Sequence, residues 1–78
     1  MSDKVTIQLR ALIQRINRKL KPDRVLKSSR RSAAMMHELG EYYVLDVKRR
    51  KVVERNVNLI RLAQEVGAID GWEELAGD

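Results

Sequence analysis

The sequence contains no cysteine and no phenylalanine, and its four glycines stand apart from one another. Without cysteine the chain has no disulfide, no thiolate nucleophile and no Cys-ligated metal cluster. The isolated glycines form no phosphate-binding loop, and the sequence has neither an H-E-x-x-H nor a G-x-S-x-G motif. We therefore expect a protein that is not an enzyme and that uses no cofactor and no metal ion.

Groups for acid–base catalysis are equally scarce. His37 is the single histidine, and it lies beside Glu38 in the part of the chain with the least regular pattern. Glu73 and Glu74 are adjacent in the acidic tail, residues 70–78, where carboxylates most often serve solubility. This composition predicts a binding protein and not a catalyst.

Long apolar runs are also missing. The 78 residues make one small domain, residues 1–78, which is large enough to fold without disulfides or metals. The N-terminal stretch is interrupted by Gln8, Arg10 and Gln14, so it fits neither a signal peptide nor a membrane span. We expect a cytoplasmic protein that does not insert into a membrane.

The charge is unevenly distributed along the chain. Residues 1–37 contain ten Lys or Arg and two acidic residues, whereas residues 38–78 contain six and nine, so the halves carry about +8 and −3. Such a polarity favours a polyanionic partner for the basic half. A solvated surface that serves only solubility gives the same composition.

The first helix is predicted over residues 3–20. Its apolar residues recur at helical spacing and share one face; they are Val5, Leu9, Leu12, Ile13, Ile16 and Leu20. Pro22 ends the helix because it disfavours helical geometry at Lys21. Ile7 and Ala11 lie off this stripe, which leaves space for a second packing surface such as a homodimer contact.

Residues 22–40 mix cations with serines and form a basic linker. One interpretation is an irregular loop. The other is a short helix that contains Ala33 and ends on Gly40, with Ser28 or Ser29 as its N-cap. The pattern leaves both open.

From residue 41 the apolar pattern changes to a period of two, which predicts a β-strand. A second β-branched run covers residues 52–57, so the two runs predict an antiparallel hairpin that turns at residues 48–51. The turn lacks the glycine of two-residue connections, so we expect a four-residue type I or a bulged turn. A C-terminal helix follows over residues 59–66, with Asn58 as its N-cap.

Residues 62–69 resemble the first helix and turn of a helix-turn-helix motif. A recognition helix should follow, yet the acidic tail would be repelled by phosphate. We therefore interpret the segment as a core helix that ends at Gly67. In the tail, Asp70 is predicted to cap a turn that brings Trp72 and Leu75 to one side.

These elements predict an α+β fold: an N-terminal amphipathic helix, a basic linker, a two-stranded antiparallel hairpin and a C-terminal helix. The hairpin should pack on the helices with Tyr43 and Leu45, while Tyr42 and Val44 lie on its other face. The predicted core consists of Leu9, Leu12, Ile13, Ile16, Tyr43, Leu45, Val53, Leu59, Leu62 and Val66.

Two basic clusters carry the prediction of function. Cations at the end of the first helix are partly explained by the helix dipole, whereas four adjacent cations at a hairpin turn repel one another. Aromatic residues are scarce, so contacts to the phosphate backbone are favoured over base stacking. The predicted nucleic-acid-binding residues are Arg18, Lys21, Arg24, Lys27, Arg30, Arg31, Lys48, Arg49, Arg50 and Lys51.

We expect a nucleic-acid-binding accessory or regulatory protein whose partner is DNA or RNA. If the first helix packs across the hairpin, the linker cations join those of the turn in one positive surface, with the acidic tail away from it. The alternative is a protein-binding modulator that docks its basic face on an acidic protein partner.

Three stretches resemble small uncharacterised proteins of proteobacterial prophages and mobile elements. They are RINRKL at residues 15–20, YYVLD at residues 42–46 and NVNLIRLAQEVG at residues 56–67. The resemblance implies a phage-derived regulator or host-factor modulator as the natural context. It brings no assigned activity and no binding residues.

Overall fold

The computed structural model describes residues 5–76, in which the chain forms three helices and five strands. They are β1 Val5–Ile7, α1 Leu9–Leu20, β2 Arg24–Ser28, α2 Ala33–Leu39, β3 Tyr42–Asp46, β4 Lys51–Glu54, α3 Leu59–Val66 and β5 Glu73–Leu75. β2, β3 and β4 form an antiparallel sheet in that order, and β1 pairs with β5 in a separate parallel sheet. The α+β class is confirmed, while the order of elements is richer than the sequence predicts.

The first helix begins later than predicted. α1 starts at Leu9, and the preceding β-branched residues form β1 instead, which pairs with β5 at the other end of the chain. Residues 3 and 4 of the predicted helix lie outside the described part. Ile7 is buried in the core and Ala11 packs against the core, so these two residues pack within the fold; a homodimer contact stays a prediction.

The basic linker contains a strand and a helix. β2 is an edge strand in which Leu26 lies opposite Val44, so the prediction of a linker without strands is wrong. α2 confirms the helical alternative, but its N-cap is Ser32, whose side chain accepts a hydrogen bond from Met35 N at 3.2 Å. Ser29 does not cap α2, because it is buried and its hydroxyl donates to Gly40 O.

Gly40, at the end of α2, is required by its surroundings. Its φ of 77° lies in the left-handed region, and a Cβ there would collide with the backbone and side chain of Asn56. Asn56 N in turn donates to Leu39 O at 2.8 Å. The connection between β4 and α3 is thereby held against the end of α2.

The predicted hairpin is present as β3 and β4. Asp46 lies opposite Lys51, which leaves a four-residue turn, and the register shifts between Val44 and Leu45. Asp46 Oδ1 accepts a hydrogen bond from Arg49 N at 3.0 Å, and Arg50 adopts the left-handed conformation with a φ of 51°. The four-residue connection is confirmed, but it covers residues 47–50 and not the predicted 48–51, since Lys51 already belongs to β4. An irregularity within the strands accompanies it.

The hairpin faces the helices with the opposite set of residues from the predicted one. Tyr42 and Val44 belong to the core, whereas Leu45 is half-buried on the other face and Val53 is 40% exposed. Tyr43 is buried, but outside the main cluster. The core cluster consists of Ile7, Leu12, Ile16, Leu26, Tyr42, Val44, Leu62, Ala63 and Ala68, and several predicted core residues, Ile13, Leu59 and Val66 among them, pack against it half-buried.

α3 matches its predicted bounds and caps. Asn58 Oδ1 accepts from Arg61 N at 3.1 Å, and Gly67 ends the helix with a left-handed φ of 72°. The prediction for the tail is confirmed only in part: a turn does follow Asp70, whose carbonyl accepts a hydrogen bond from Glu73 N at 3.0 Å, and β5 begins directly after it. Trp72 and Leu75 do not lie on one side, because Trp72 is 62% exposed whereas Leu75 packs against the core. A strand in this place also rules out a recognition helix directly after α3.

Two side chains of α1 attach the helix to the two sheets. Asn17 accepts a hydrogen bond from Leu26 N at 2.7 Å and donates to Leu26 O at 3.4 Å, so its amide pairs with the free edge of β2. Arg15 Nη1 lies 2.9 and 3.0 Å from the two carboxylate oxygens of Glu73. Arg15 and Asn17 are two positions apart, which corresponds to a rotation of about 200° around the helix axis. Their contacts therefore lie on opposite flanks of α1.

Replacing Asn17 by Ala should lower the free energy of unfolding by ~1–3 kcal/mol, because Leu26 loses the partner of both its backbone groups. Gln14→Ala, on the same polar row of α1 but exposed, should change it by less than ~0.5 kcal/mol. Urea denaturation followed by circular dichroism measures both. Equally small changes in the two variants would show that the Asn17 amide does not stabilise the edge.

Stability should also fall at acid pH through Glu73. A hydrogen bond from the backbone of Asp70, and then the bond to Arg15, hold the Glu73 pKa below its usual 4.5. The carboxylate therefore stabilises the fold above that pH, and its contribution is lost as the pH falls through the lowered pKa. Glu73→Gln should flatten the decline in unfolding free energy on the acid side of about pH 4.5.

The control for that experiment is Glu74→Gln, which removes the neighbouring, exposed carboxylate. It should leave the acid-side decline as steep as in the unmodified protein. If both variants show the same pH dependence, the contacts of Glu73 are not the source of the acid sensitivity.

Candidate nucleic-acid interface

The turn after α1 and the turn of the hairpin lie side by side. Val47 N donates to Asp23 O at 2.8 Å, which continues the β2–β3 pairing beyond Arg24. Both turns therefore lie at the same end of the antiparallel sheet. This contact brings the end of α1 next to the hairpin tip, by which we mean residues 48–51.

Seven of the ten predicted binding residues gather at this end, which we call the basic end. All of them are exposed. They are Arg18, Lys21, Arg24, Lys48, Arg49, Arg50 and Lys51. Asp46 on β3 lies opposite Arg24 on β2 and opposite Lys51 on β4. The two basic clusters of the sequence thus meet through the pairing of β2, β3 and β4.

The remaining three predicted residues lie elsewhere. Lys27 alternates with the buried Leu26, so it projects from the sheet face away from the core. Arg30 and Arg31 follow the far end of β2, at least ~13 Å along an extended strand from Arg24. The single positive surface predicted from the linker and the turn is therefore formed only in part.

Two depressions lie between α1 and β2, one near the basic end and one near Arg30, and they meet at Gln14. One cavity of about 520 Å³, the tip-side cavity, is lined by Asn17, Arg18, Lys21 and Val25. A second of about 740 Å³, the far cavity, includes Arg10 and Arg30, and both cavities share Gln14. Together they form the α1–β2 groove. Its lining cations are Arg10, Arg18, Lys21 and Arg30.

Arg10 is the groove residue that the predicted site omits. The sequence places it on the polar row of α1, but that row alone does not show that it faces Arg30 across a cavity. Arg30 lines the other side, where its exposed Nε lies 3.5 Å from a carboxylate oxygen of Glu41. Arg10 and Arg30 come together because the chain reverses direction between α1 and β2, so that the start of α1 lies beside the end of β2.

The carboxylate of the tail that contacts α1 lies on the flank away from the groove, because Glu73 binds Arg15 and Asn17 faces β2. On α3, Glu65 pairs with Arg61 at 3.3 Å and both remain exposed. The cavity beside α3, about 290 Å³, is lined by both signs of charge. The excess of positive charge is thus concentrated along the groove and at the basic end.

Other chemistry is sparse in the described part of the chain. His37 is exposed on α2, which corrects its assignment to an irregular segment. Among residues 5–76 no three acidic or histidine side chains are grouped closely enough to hold a metal ion. No helix within these residues is long and apolar enough to cross a membrane.

Comparisons with protein-family models, with curated proteins and with solved structures find no match to this chain.

Proposed function

We propose that this chain is a nucleic-acid-binding accessory or regulatory protein that binds the phosphate backbone and catalyses no reaction. The observation that carries the proposal is the contact between Val47 and Asp23, which joins two basic segments of the sequence into the basic end. We expect the protein to act in the cytoplasm. Its resemblance to proteins of prophages and mobile elements makes a phage-derived regulator part of the same proposal.

The charge of the basic end supports a polyanionic ligand. Arg18 and Lys21 are favoured at the end of α1 by the helix dipole, so they need no ligand to explain them. The hairpin tip has no such dipole, and its four adjacent cations repel one another in the free protein. A phosphate backbone relieves that repulsion because it supplies negative charge at a regular spacing.

The aromatic residues favour backbone contacts over stacking at the basic end. Tyr42 and Tyr43 are only 7% and 8% exposed, so neither ring offers a free face to a base. Trp72 is exposed, but it lies in the segment that joins α3 to β5. Binding through cations alone predicts low sequence specificity and a strong dependence on salt.

Four to six phosphate contacts predict that log affinity for duplex DNA falls with log salt at a slope of about −4 to −5. Replacing Arg49 by Gln and Arg50 by Asn should flatten this slope by up to about two and weaken binding to all sequences alike. Asn suits position 50 because it tolerates the left-handed conformation there. Fluorescence anisotropy with labelled duplexes, from low to physiological salt, measures affinity and slope.

The matched control is Arg55→Gln with Arg61→Gln, which removes the same charge beside α3 and away from the basic end. It should lower affinity through net charge alone and leave the slope nearly unchanged. Equal effects of the two double variants would contradict the basic end as the binding surface.

A protein-binding modulator with an acidic partner is the second candidate. It is favoured by an apolar row across the outer face of the antiparallel sheet, where Val25, Leu45 and Val52 lie in register and outside the core cluster. Lys27 lies beside this row on the same face. Affinity weaker than ~100 μM for DNA and RNA at physiological salt would favour this candidate over the first.

A further inference from the structure

The far cavity combines an apolar floor with charged walls. Leu9, Ile13 and the buried Tyr42 supply the apolar floor, between α1 and the start of β3. Arg10 and Arg30 stand on its two sides. It is an open depression of about 740 Å³, large enough to accept a nucleotide-sized ligand on one side.

The cations leave donors free for an anion. Arg30 contacts Glu41 through Nε, so the terminal nitrogens of its guanidinium remain for a phosphate oxygen. Guanidinium groups bind phosphate with two parallel hydrogen bonds, which a lysine cannot reproduce. Neither phosphate nor carboxylate would fill the apolar floor, so the ligand needs an uncharged, flat part as well.

An unpaired nucleotide has both parts. Its base can lie on Leu9 and Ile13, with polar edges within reach of Gln8, Gln14 and Ser28, the uncharged polar residues of the cavity wall. Its phosphate can lie between the two guanidiniums. A base in a duplex is stacked and paired, so it is not available to enter a cavity.

We propose that the far cavity binds one unpaired nucleotide, and that the protein therefore prefers single-stranded nucleic acid to duplex. This inference rests on the proposed function and names its substrate class. The strand follows the α1–β2 groove from the far cavity to the basic end, so one nucleotide is held through its base and its neighbours through their phosphates.

The test compares labelled single-stranded DNA, single-stranded RNA and duplex DNA of one sequence by fluorescence anisotropy at a fixed salt concentration. The unmodified protein should bind at least one of the single strands about tenfold more tightly than the duplex. Arg10→Gln with Arg30→Gln should remove that preference and lower duplex affinity no more than the removal of the same charge at Arg55 and Arg61 does. The control is again Arg55→Gln with Arg61→Gln, which should keep the preference.

A second variant separates the base from the phosphate. Leu9 is half-buried and outside the core cluster, so Leu9→Gln keeps the size of the side chain and removes part of the apolar floor. It should lower single-strand affinity without changing the salt slope, whereas the double arginine variant should flatten the slope by about 0.7 for each lost phosphate contact. Thermal unfolding verifies that each variant is folded.

Three results would overturn the inference while leaving the proposed function in place, and a fourth would overturn both. A duplex bound as tightly as the single strands would leave the basic end as the binding surface and the cavity without a role. If the Arg10 and Arg30 variant loses affinity for single strand and duplex equally, these residues contribute only to the overall positive charge and do not form a specific site. Competition by polyglutamate as strong as by unlabelled strand would show that charge alone is recognised. If no nucleic acid binds more tightly than ~100 μM, the proposed function fails and the inference fails with it.

Discussion

The pairing of the Asn17 amide with Leu26 joins α1 to the edge of the antiparallel sheet, and the arrangement of the candidate site depends on this contact. β2 is an edge strand, and its free N–H and C=O groups need partners if they are to leave water. An amide side chain presents one donor and one acceptor, as a neighbouring strand would, so a helix can close the edge. The position of α1 along β2 follows from that contact, and the groove is the space left on either side of it.

The opposite flank of α1 completes the arrangement. Arg15 holds Glu73, and β5 pairs with β1, so the two ends of the described chain meet beside the same helix. The two side chains that attach α1 to the sheets, Asn17 and Arg15, are polar, and a hydrophobic pattern treats such residues as solvent-facing. This explains why α3 and the hairpin were predictable while β1, β2 and β5 were not: caps, turns and alternation are local signals, whereas short strands depend on partners far along the chain.

The choice of hairpin face shows the same limit. Residues 42–45 are all apolar, so a period of two fits either face equally well. The structure resolves the tie through β2, because Leu26 opposite Val44 adds a third apolar side chain to one face. On the other face Val25 and Lys27 occupy β2, and the mixture of an apolar and a charged residue leaves that face open.

The candidate site was predictable in composition but not in arrangement. α1 and β2 are joined by a short turn and run in opposite directions, so residues near the turn meet at one end and more distant ones at the other. From Lys21 back to Arg10 a helix covers ~17 Å at ~1.5 Å per residue, and about five residues of strand cover the same length at ~3.3 Å each. Arg10 and Arg30 therefore reach the same level on the two sides of the groove. Because the rise per residue differs between helix and strand, the cations of α1 and of the segment around β2 form two groups along one groove. A flexible single strand can place its phosphates along that path more readily than a rigid protein surface can place its carboxylates.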